Sequence, residues 1–178
     1  MNNFNKLIFL VGARASGKST VGQLLAERCG LNFVDMDDCL ARAQGLNIAE
    51  IVARDGWDIF RQKESEMLSQ IIENQAGAVV ATGGGVVMAE RNRALMWKNG
   101  LIFYLSASPE ILADRMANDP RGDMRPSLTG KPVLEEMGEI LVEREGRYRA
   151  TAHQTIDAAV EPDAVAATIL GHLKVMTG

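Results

Sequence analysis

The sequence predicts an α/β fold, in which a five-stranded parallel sheet is covered by helices on both faces in a three-layer α/β/α arrangement. Short apolar runs alternate along the chain with stretches whose apolar residues have helical spacing. No hairpin turn signal joins successive apolar runs, so each connection is expected to contain a helix. The run at residues 101–105 is apolar throughout, as expected for a strand that is covered on both faces.

The elements can be assigned in order along the chain. The predicted strands are residues 7–11, 31–34, 78–81, 101–105 and 155–158. The first helix should begin near Lys18 and end at Gly30, and the second should run to Gly45. Asn47 and Glu50 form a capping-box pattern that opens a short helix ending at residues 55–56. Two further helices are predicted at residues 57–75 and 90–99, and a third begins at residue 109. A long helix that follows residue 132 should end at about residue 152, and the last helix begins at residue 162.

Residues 12–19 read GARASGKS and connect the first strand to the first helix. Gly12 and Gly17 allow the backbone to turn its N–H groups inward around an anion. The helix that begins near Lys18 adds the positive end of its dipole, and the lysine is a point charge for outer phosphates. The Ser19 hydroxyl can ligate a magnesium ion. We interpret the segment as a phosphate-binding P-loop rather than a glycine-rich turn that binds nothing.

Length and composition narrow the class of protein. A chain of 178 residues, 47% hydrophobic and 24% charged, is typical of one soluble globular domain. The net charge of −4 argues against a nucleic-acid partner, which would need a basic face. We find neither an apolar run of membrane-spanning length nor a signal-peptide layout, and therefore expect a cytoplasmic protein. Cys29 and Cys39 lack metal-site spacing, and we expect them to be reduced and buried.

Acidic residues follow the second predicted strand. Alternation along that strand would place Asp35 and Asp37 on the same face. One carboxylate could hold a metal ion through water, while the other accepts a proton from an acceptor hydroxyl group. The alternative is a pair of helix N-cap acids before Cys39, a role that Asp38 also fits.

Arginine and glycine residues could complete such a site. Arg61 lies on or beside the apolar face of its helix, either as a surface arginine or as a clamp for an anionic acceptor. Residues 83–85 are successive glycines, which could form a tight turn or allow close backbone approach to a ligand; we favour the second. Ligands of parallel sheets bind beyond the carboxyl ends of the strands, so the P-loop, residues 35–38 and residues 82–85 should converge on one cleft.

Residues 119–132 contain three prolines, two glycines and two arginines, which predicts a mobile loop of lid length. A basic cluster follows in the next helix and consists of Arg144, Arg147, Tyr148 and Arg149. Most arginines in such a helix are solvated, so spacing alone does not select among them.

Over essentially its whole length the chain resembles the shikimate kinases, within the nucleoside-monophosphate-kinase branch of P-loop folds. The matching segments are GARASGKST, FVDMDD, residues 56–61 with Glu64, ATGGG, MRPSLTGKP, the ER..RYR..A pattern from Glu143, and IDA near the end. Their order and spacing make the resemblance specific, and LTGKP is most similar to the type II enzymes. The resemblance implies one P-loop kinase domain over residues 1–178, with an acceptor-binding helical region at about 36–62 and a mobile lid at about 119–132.

The resemblance also implies roles for particular residues. Those implied to bind the ATP phosphates are Ala15, Ser16, Gly17, Lys18, Ser19 and Thr20. Arg115 matches a position near the adenine, opposite the turn at residues 161–162, and Arg125 matches the lid arginine that moves over ATP. Ser19 and Asp35 are implied to serve Mg²⁺. The residues implied to hold shikimate are Asp37, Arg61, Gly83, Gly84, Gly85 and Arg144, with the acid on its hydroxyl groups and the arginines on its carboxylate.

The implied reaction is transfer of the ATP γ-phosphoryl group to the 3-hydroxyl of shikimate, a step of aromatic amino acid biosynthesis. Lys18, Asp37 and Arg125 would be its catalytic residues. The alternatives are a related kinase such as a gluconate kinase, or a nucleotide-binding regulatory module without turnover. We expect a monomer whose partners are ATP and shikimate, with neither nucleic acid nor membrane, and we expect Trp57 near the acceptor pocket.

Overall fold

The computed structural model describes residues 6–119 and 127–177, and its five strands form one parallel sheet in the order β2-β3-β1-β4-β5. The strands are β1 (Leu7–Val11), β2 (Asn32–Asp35), β3 (Ala78–Ala81), β4 (Gly100–Ser106) and β5 (Gln154–Asp157). The helices are α1 (Lys18–Cys29), α2 (Met36–Gln44), α3 (Ile48–Asn74), α4 (Glu90–Asn99), α5 (Pro109–Ala117), α6 (Val133–Thr151) and α7 (Pro162–Thr177). A single 3-10 turn, Val86–Met88, precedes α4. The predicted fold class is confirmed.

Alternation along the buried strands divides the core into two layers. Phe9, Ile102 and Tyr104 point to one face, where they pack against side chains of α3, α4 and α6. Leu10 and Phe103 point to the other face and pack against α1 and α7. The central strands β1 and β3 are buried at every position, which explains their uninterrupted apolar sequences.

The strand register brings the candidate segments to one edge. Leu10 of β1 is paired with Ala81 of β3, and Asp35 of β2 is paired with the same Ala81. The P-loop, Asp35 and the glycines after Thr82 therefore leave the sheet side by side, as expected for adjacent parallel strands.

The transition from β2 to α2 corrects one prediction. The strand ends at Asp35, and Asp37 lies in the first turn of α2, so alternation along a strand does not relate the two side chains. Asp35 is the N-cap: its Oδ1 accepts hydrogen bonds from the backbone N–H groups of Asp37 at 3.0 Å and Asp38 at 3.4 Å. The capping role considered for these acids therefore belongs to Asp35 and not to Asp38.

The helix α3 joins two segments that the sequence predicts separately. The capping box at Asn47 and Glu50 is present, with hydrogen bonds of 2.9 and 2.7 Å. At Gly56 the backbone leaves the helical region, with φ 79° and ψ 168°, and the chain then resumes the helix. The predicted break lies at this kink. Leu40, Ile51 and Phe60 form a small separate core for α2 and α3.

The remaining predictions about the chain concern its cysteines, the lid and membrane-spanning segments. Cys29 and Cys39 are free thiols, but both are half-buried where burial was expected. Of the predicted lid, Asp119 and residues 127–132 form no helix or strand, and residues 120–126, including Arg125, lie outside the described residues. Within the two described ranges, every helix is too short or too polar to cross a bilayer.

Candidate nucleotide and acceptor site

A cleft of about 510 Å³ opens at the carboxyl edge of the sheet. Most of the predicted site residues line it: Ala15, Gly17, Lys18, Ser19, Thr20, Asp35, Asp37, Arg61, Gly83, Gly84, Gly85, Arg115 and Arg144. Trp57 also lines the cleft, as expected from its position in the sequence. The structure therefore brings the P-loop, the acidic residues at the end of β2, Arg61 and Arg144 into one cleft.

The P-loop has the backbone conformation that its glycines permit. Gly12 has φ 150°, and a Cβ there would lie 2.7 Å from the carbonyl oxygen of Leu105. Gly17 has φ 93° and is the N-cap of α1, while Ala15 is the non-glycine residue with positive φ, at 62°. These left-handed positions bend the loop so that α1 begins at the cleft, with its N-terminal dipole toward any bound anion.

Lys18 crosses the loop that contains it. Its ammonium group donates hydrogen bonds to the carbonyl oxygens of Gly12 at 3.0 Å and Ala13 at 2.7 Å. Ser16 was expected among the ATP-binding residues, but its side chain is buried under the loop, 3.4 Å from the ammonium group, and does not line the cleft. Its backbone N–H points to the carbonyl oxygen of Ala13, at 3.3 Å. Ser16 thus supports the loop from inside.

Ser19 and Asp35 form the predicted metal pair. The Ser19 hydroxyl donates to Asp35 Oδ2 at 2.5 Å, and Asp35 is buried at the end of β2. No cluster of three or more His, Cys, Asp or Glu side chains exists in the described ranges. Mg²⁺ does not require one, since it keeps several waters and uses one or two protein oxygens together with phosphate oxygens. The hydroxyl and carboxylate donors present fit that ion.

Arg61 is held by a carboxylate from the next turn of α3. Its Nη1 donates to Glu64 Oε2 at 2.7 Å, and its guanidinium carbon lies 5.3 Å from the Trp57 ring centroid and 5.2 Å from that of Phe60. Glu64 is only 1% exposed, and its Oε1 has no hydrogen-bond partner. Burial raises the pKa of the Glu64 carboxyl, while the guanidinium of Arg61 opposes that shift. The ion pair fixes the direction of the Arg61 side chain.

Side chains approach closely at two of the three successive glycines, Gly83 and Gly85. A Cβ on Gly83 would lie 2.3 Å from Glu64 Oε1 and 3.1 Å from Asp37 Oδ1. A Cβ on Gly85 would lie 2.2 Å from the guanidinium carbon of Arg61. The structure shows that acidic and basic side chains approach this backbone, and close approach to a ligand stays a prediction.

Only one arginine of the basic cluster on α6 reaches the cleft. Arg144 is buried and lines it, with Nε 3.4 Å from Glu143 Oε2. Arg147 instead donates to the backbone carbonyl of Glu143, and Arg149 pairs with Glu145 at 2.6 Å on the helix surface. Spacing does not separate these roles, because Arg147 is three residues from Arg144 and lies near it on the helix surface. The structure separates them by directing Arg147 to the backbone of its own helix and Arg149 to Glu145.

Arg115 marks the opposite end of the cleft. Its Nη2 donates to the carbonyl oxygen of Ala158 at 2.7 Å, beside residues 159–162, which line the same end. Ala158 follows β5, at the sheet edge opposite β2, so Arg115 lies across the sheet from the acidic residues at the end of β2.

Several cleft residues were not named as site residues from the sequence. They are Arg14, Ile48, Phe60, Glu64, Thr82, Asp119, Leu128, Ile140 and residues 159–160. Of these, Glu64 carried a usable signal, since an acid three residues after Arg61 on a helix is placed to pair with it. The apolar members carried none, because apolar residues at helical spacing predict core packing equally well.

Comparison with known proteins gives one consistent family. The sequence pattern of the shikimate kinase family matches residues 14–174. "Shikimate kinase 2" of Pectobacterium atrosepticum is 46% identical over 94% of this chain and 95% of its own length. "Shikimate kinase 2" of Syntrophotalea carbinolica is 47% identical over 94% and 96%. The structure of "Shikimate kinase from Acinetobacter baumannii in complex with shikimate" superposes with a TM-score of 0.90 and 30% identity, over 97% of this chain and 95% of that one.

Proposed function

The chain belongs to the shikimate kinase family, and we propose that the cleft described above carries out the family's reaction. In that reaction the γ-phosphoryl group of ATP is transferred to the 3-hydroxyl group of shikimate, giving shikimate 3-phosphate and ADP. One observation carries the proposal: the P-loop, Asp37, Arg61 and Arg144 share a single cleft although they come from separate elements.

ATP binds at the P-loop end of the cleft. The backbone N–H groups of Ala15 and residues 17–20 surround the phosphates, while that of Ser16 stays with the carbonyl oxygen of Ala13. Lys18 moves from its own loop carbonyls onto the β- and γ-phosphate oxygens. The adenine lies between Arg115 and the turn at residues 161–162, which line that end. Arg125 is assigned to the transferring phosphoryl group by the resemblance alone, because it lies outside the described residues.

The Ser19 hydroxyl and, through water, Asp35 would hold Mg²⁺. The ion would supply neutralisation of negative charge on the ATP phosphates. The short Ser19–Asp35 contact supports this assignment, because it brings one hydroxyl and one carboxylate oxygen to the start of α1.

Shikimate binds at the other end of the cleft. Its carboxylate lies between the guanidinium groups of Arg61 and Arg144, both of which face the cleft. Asp37 takes its hydroxyl groups, and the glycines at 83–85 form the adjoining wall. Ion pairing with Glu64 holds Arg61 in place before the substrate arrives.

The chemistry is proton acceptance and charge stabilisation. Asp37 orients the 3-hydroxyl and accepts its proton as the oxygen forms a bond to the γ-phosphorus. The bond from that phosphorus to the β,γ-bridging oxygen breaks, and the electron pair leaves on ADP. Lys18 and Arg125 stabilise the charge on the phosphoryl oxygens.

Further parts of the proposal concern the whole molecule. We assign residues 1–178 to one P-loop kinase domain with an acceptor-binding region at about 36–62 and a lid at about 119–132. The small core of Leu40, Ile51 and Phe60 supports the separate acceptor-binding region. We further assign a monomer in the cytoplasm, with neither nucleic acid nor membrane as partner, from the composition and the net charge of −4.

A coupled ADP-release assay tests the function. The purified protein is given MgATP with shikimate, with gluconate or with no acceptor, and the phosphorylated product is identified by ³¹P NMR and mass spectrometry. We expect ADP release that depends on shikimate and on Mg²⁺, with one phosphate on the 3-hydroxyl. Turnover of gluconate with shikimate inert would assign the chain to another acceptor.

Binding measurements separate enzyme from regulatory module. ATP binding with no turnover of either acceptor would support a nucleotide-binding module. Trp57 gives a second readout, since it packs beside Arg61 in the acceptor end, and we expect its fluorescence to change when shikimate is added. Trp97 is the other tryptophan and is exposed on α4, so the titration uses a Trp97→Phe background.

A further inference from the structure

The hydroxyl group of Tyr148 is buried. The side chain is 0% exposed in α6, and its hydroxyl donates a hydrogen bond to the carbonyl oxygen of Gly84 at 2.5 Å. Its ring stacks on Tyr104 of β4, with centroids 5.0 Å apart and planes 18° from parallel. The ring contact would be satisfied by phenylalanine, so the hydroxyl needs a separate explanation.

The Tyr148 hydroxyl is the donor in this hydrogen bond, because the Gly84 carbonyl oxygen can only accept one. Burial raises the pKa of Tyr148 well above its usual range, with the guanidinium of Arg144 acting in the opposite direction. The opposing effect also indicates that the hydroxyl lies near Arg144. Tyr148 thus lies between an arginine of the cleft and the backbone of the glycine wall.

The hydrogen bond sets the orientation of one peptide unit. The peptide between Gly84 and Gly85 is trans, so its C=O and N–H bonds point in opposite directions. With the carbonyl oxygen held by Tyr148, the N–H of Gly85 points to the side opposite the Tyr148 hydroxyl, and both glycines line the cleft. Neither glycine has a Cβ to restrict rotation of this peptide, so the tyrosine supplies the restraint.

The same helical turn carries Arg144. Residues four apart lie on one face of a helix, so the guanidinium of Arg144 and the hydroxyl of Tyr148 are presented side by side. A rigid unit of α6 therefore relates a charged group of the cleft to the Gly84–Gly85 peptide, whose carbonyl oxygen lies 64 residues away from Tyr148 in sequence.

We propose that Tyr148 is a positioning residue for acceptor binding: by holding the Gly84 carbonyl oxygen it aims the Gly85 N–H at the carboxylate or hydroxyl oxygens of shikimate, in register with Arg144. This inference rests on the proposed function, because it takes shikimate as the ligand of that end of the cleft. It assigns Tyr148 no contact with the substrate.

Tyr148→Phe keeps the stacked ring and removes only the hydroxyl. We expect the shikimate KM to rise about tenfold, as for loss of one buried hydrogen bond, while the ATP KM changes by less than about twofold. In protein labelled with ¹⁵N-glycine, the Gly85 amide resonance should shift on addition of shikimate in the wild type and by less than about half as much in the variant.

Tyr104→Phe is the matched control. It removes the hydroxyl of the stacking partner, which contacts Ser106 rather than the glycine wall, and should leave both KM values unchanged. The ADP affinity and the thermal midpoint of each variant show whether it is folded. The assays are run at a temperature below the midpoint of the less stable variant.

The outcomes separate this inference from the proposed function. Wild-type turnover of shikimate with a selective KM rise in Tyr148→Phe supports it. Wild-type turnover with equal changes in both KM values, or with a lowered midpoint and unchanged KM, overturns the positioning role and leaves the function intact. Absence of shikimate turnover by the wild type defeats the function, and the inference with it.

Discussion

The two ends of the cleft are built in different ways. The nucleotide end is one continuous segment, residues 12–20, whose shape comes from left-handed backbone positions and from a lysine bound to its own loop. The acceptor end is assembled from α2, α3, the glycine wall and α6, which contribute Asp37, Arg61, residues 83–85 and Arg144. Its shape comes from contacts between side chains.

This difference determines how each end responds to substitution. A local loop depends on few partners, so a change there should affect chemistry and leave distant parts intact. In the acceptor end Glu64 is hydrogen-bonded to Arg61 and lies directly against Gly83, where a Cβ would clash with it. A change in any one of these three residues should therefore displace the other two. The predictions below test this contrast.

Lys18→Met should have the largest effect. It removes the ammonium group that stabilises the transferring phosphoryl group, and we expect kcat/KM to fall on the order of a thousandfold or more. Shikimate affinity, followed by Trp57 fluorescence, should stay within about twofold, because the ammonium group donates to the P-loop carbonyl oxygens of Gly12 and Ala13.

Lys98→Met is the control, since Lys98 is exposed on α4 and away from the cleft. Its kinetics should match the wild type. A large loss of shikimate affinity in Lys18→Met would show that the two ends do not act independently.

Arg61→Ala should have the next largest effect, confined to the other substrate. We expect the shikimate KM to rise about a hundredfold, because a charge-assisted pair with the carboxylate is lost. The ATP KM should change by less than about twofold in the same steady-state assay. Arg54→Ala, on the same helix but exposed and paired with Asp55, is the control. Equal rises in both KM values would contradict the clamp.

Gly83→Ala should destabilise the acceptor end from within. The new Cβ would lie 2.3 Å from Glu64 Oε1, and that carboxylate is fixed by Arg61. We expect a loss of about 1–3 kcal/mol in the free energy of unfolding, measured by urea titration, together with a higher shikimate KM.

Gly146→Ala provides the opposite case in α6. No atom lies within 4 Å of a Cβ built there, so helix propensity should stabilise the protein by about 0.5–1 kcal/mol. If Gly83→Ala proved as harmless as Gly146→Ala, the close packing of the glycine wall would not matter to the fold.

The smallest predicted effect concerns His153, which lies away from both ends of the cleft. Burial lowers the pKa of His153 below its ordinary value of 6.5, with the nearby charge of Lys6 adding to the shift. Its Nδ1 accepts a hydrogen bond from the backbone N–H of Ile102 at 3.1 Å. The unfolded chain therefore binds a proton on this histidine at a higher pH than the folded protein does.

Stability from this group is present above pH 6.5 and is lost as the pH falls through the lowered pKa of His153. Between pH 7.5 and 5.5 the thermal midpoint of wild type should fall by about 2 °C more than that of His153→Asn. His172→Asn, which changes the other histidine, on α7, is the control. An identical pH dependence in wild type and His153→Asn would remove His153 as the cause.

The sequence was informative where interactions are local. The strands, most helix ends and the P-loop follow from apolar spacing, capping residues and glycines within a few positions of each other. Strand alternation between Asp35 and Asp37 was a wrong prediction, because Asp35 ends the strand and is the N-cap of α2, so Asp37 is helical. The choice of Arg144 over Arg147 and Arg149 came from family resemblance, since helical spacing alone does not show which face meets a distant loop.

Glu64 and Tyr148 show what local patterns omit. Both side chains are buried in helices and act on the glycine wall, 19 and 64 residues away in sequence from Gly83 and Gly84 respectively. Each reads as an ordinary helical residue until the fold brings the wall beside it. Side chains that act through another segment need the tertiary structure to be found.

The carboxylate of Asp35 divides its two oxygens between two neighbours: Oδ1 accepts the first N–H groups of α2, and Oδ2 accepts the Ser19 hydroxyl. Asp35 is the proposed ion ligand and Asp37 is the proposed base, and a single residue separates them in the chain. If the acceptor-binding helices tilt during the catalytic cycle, the distance between these two residues should therefore change less than the other distances in the site.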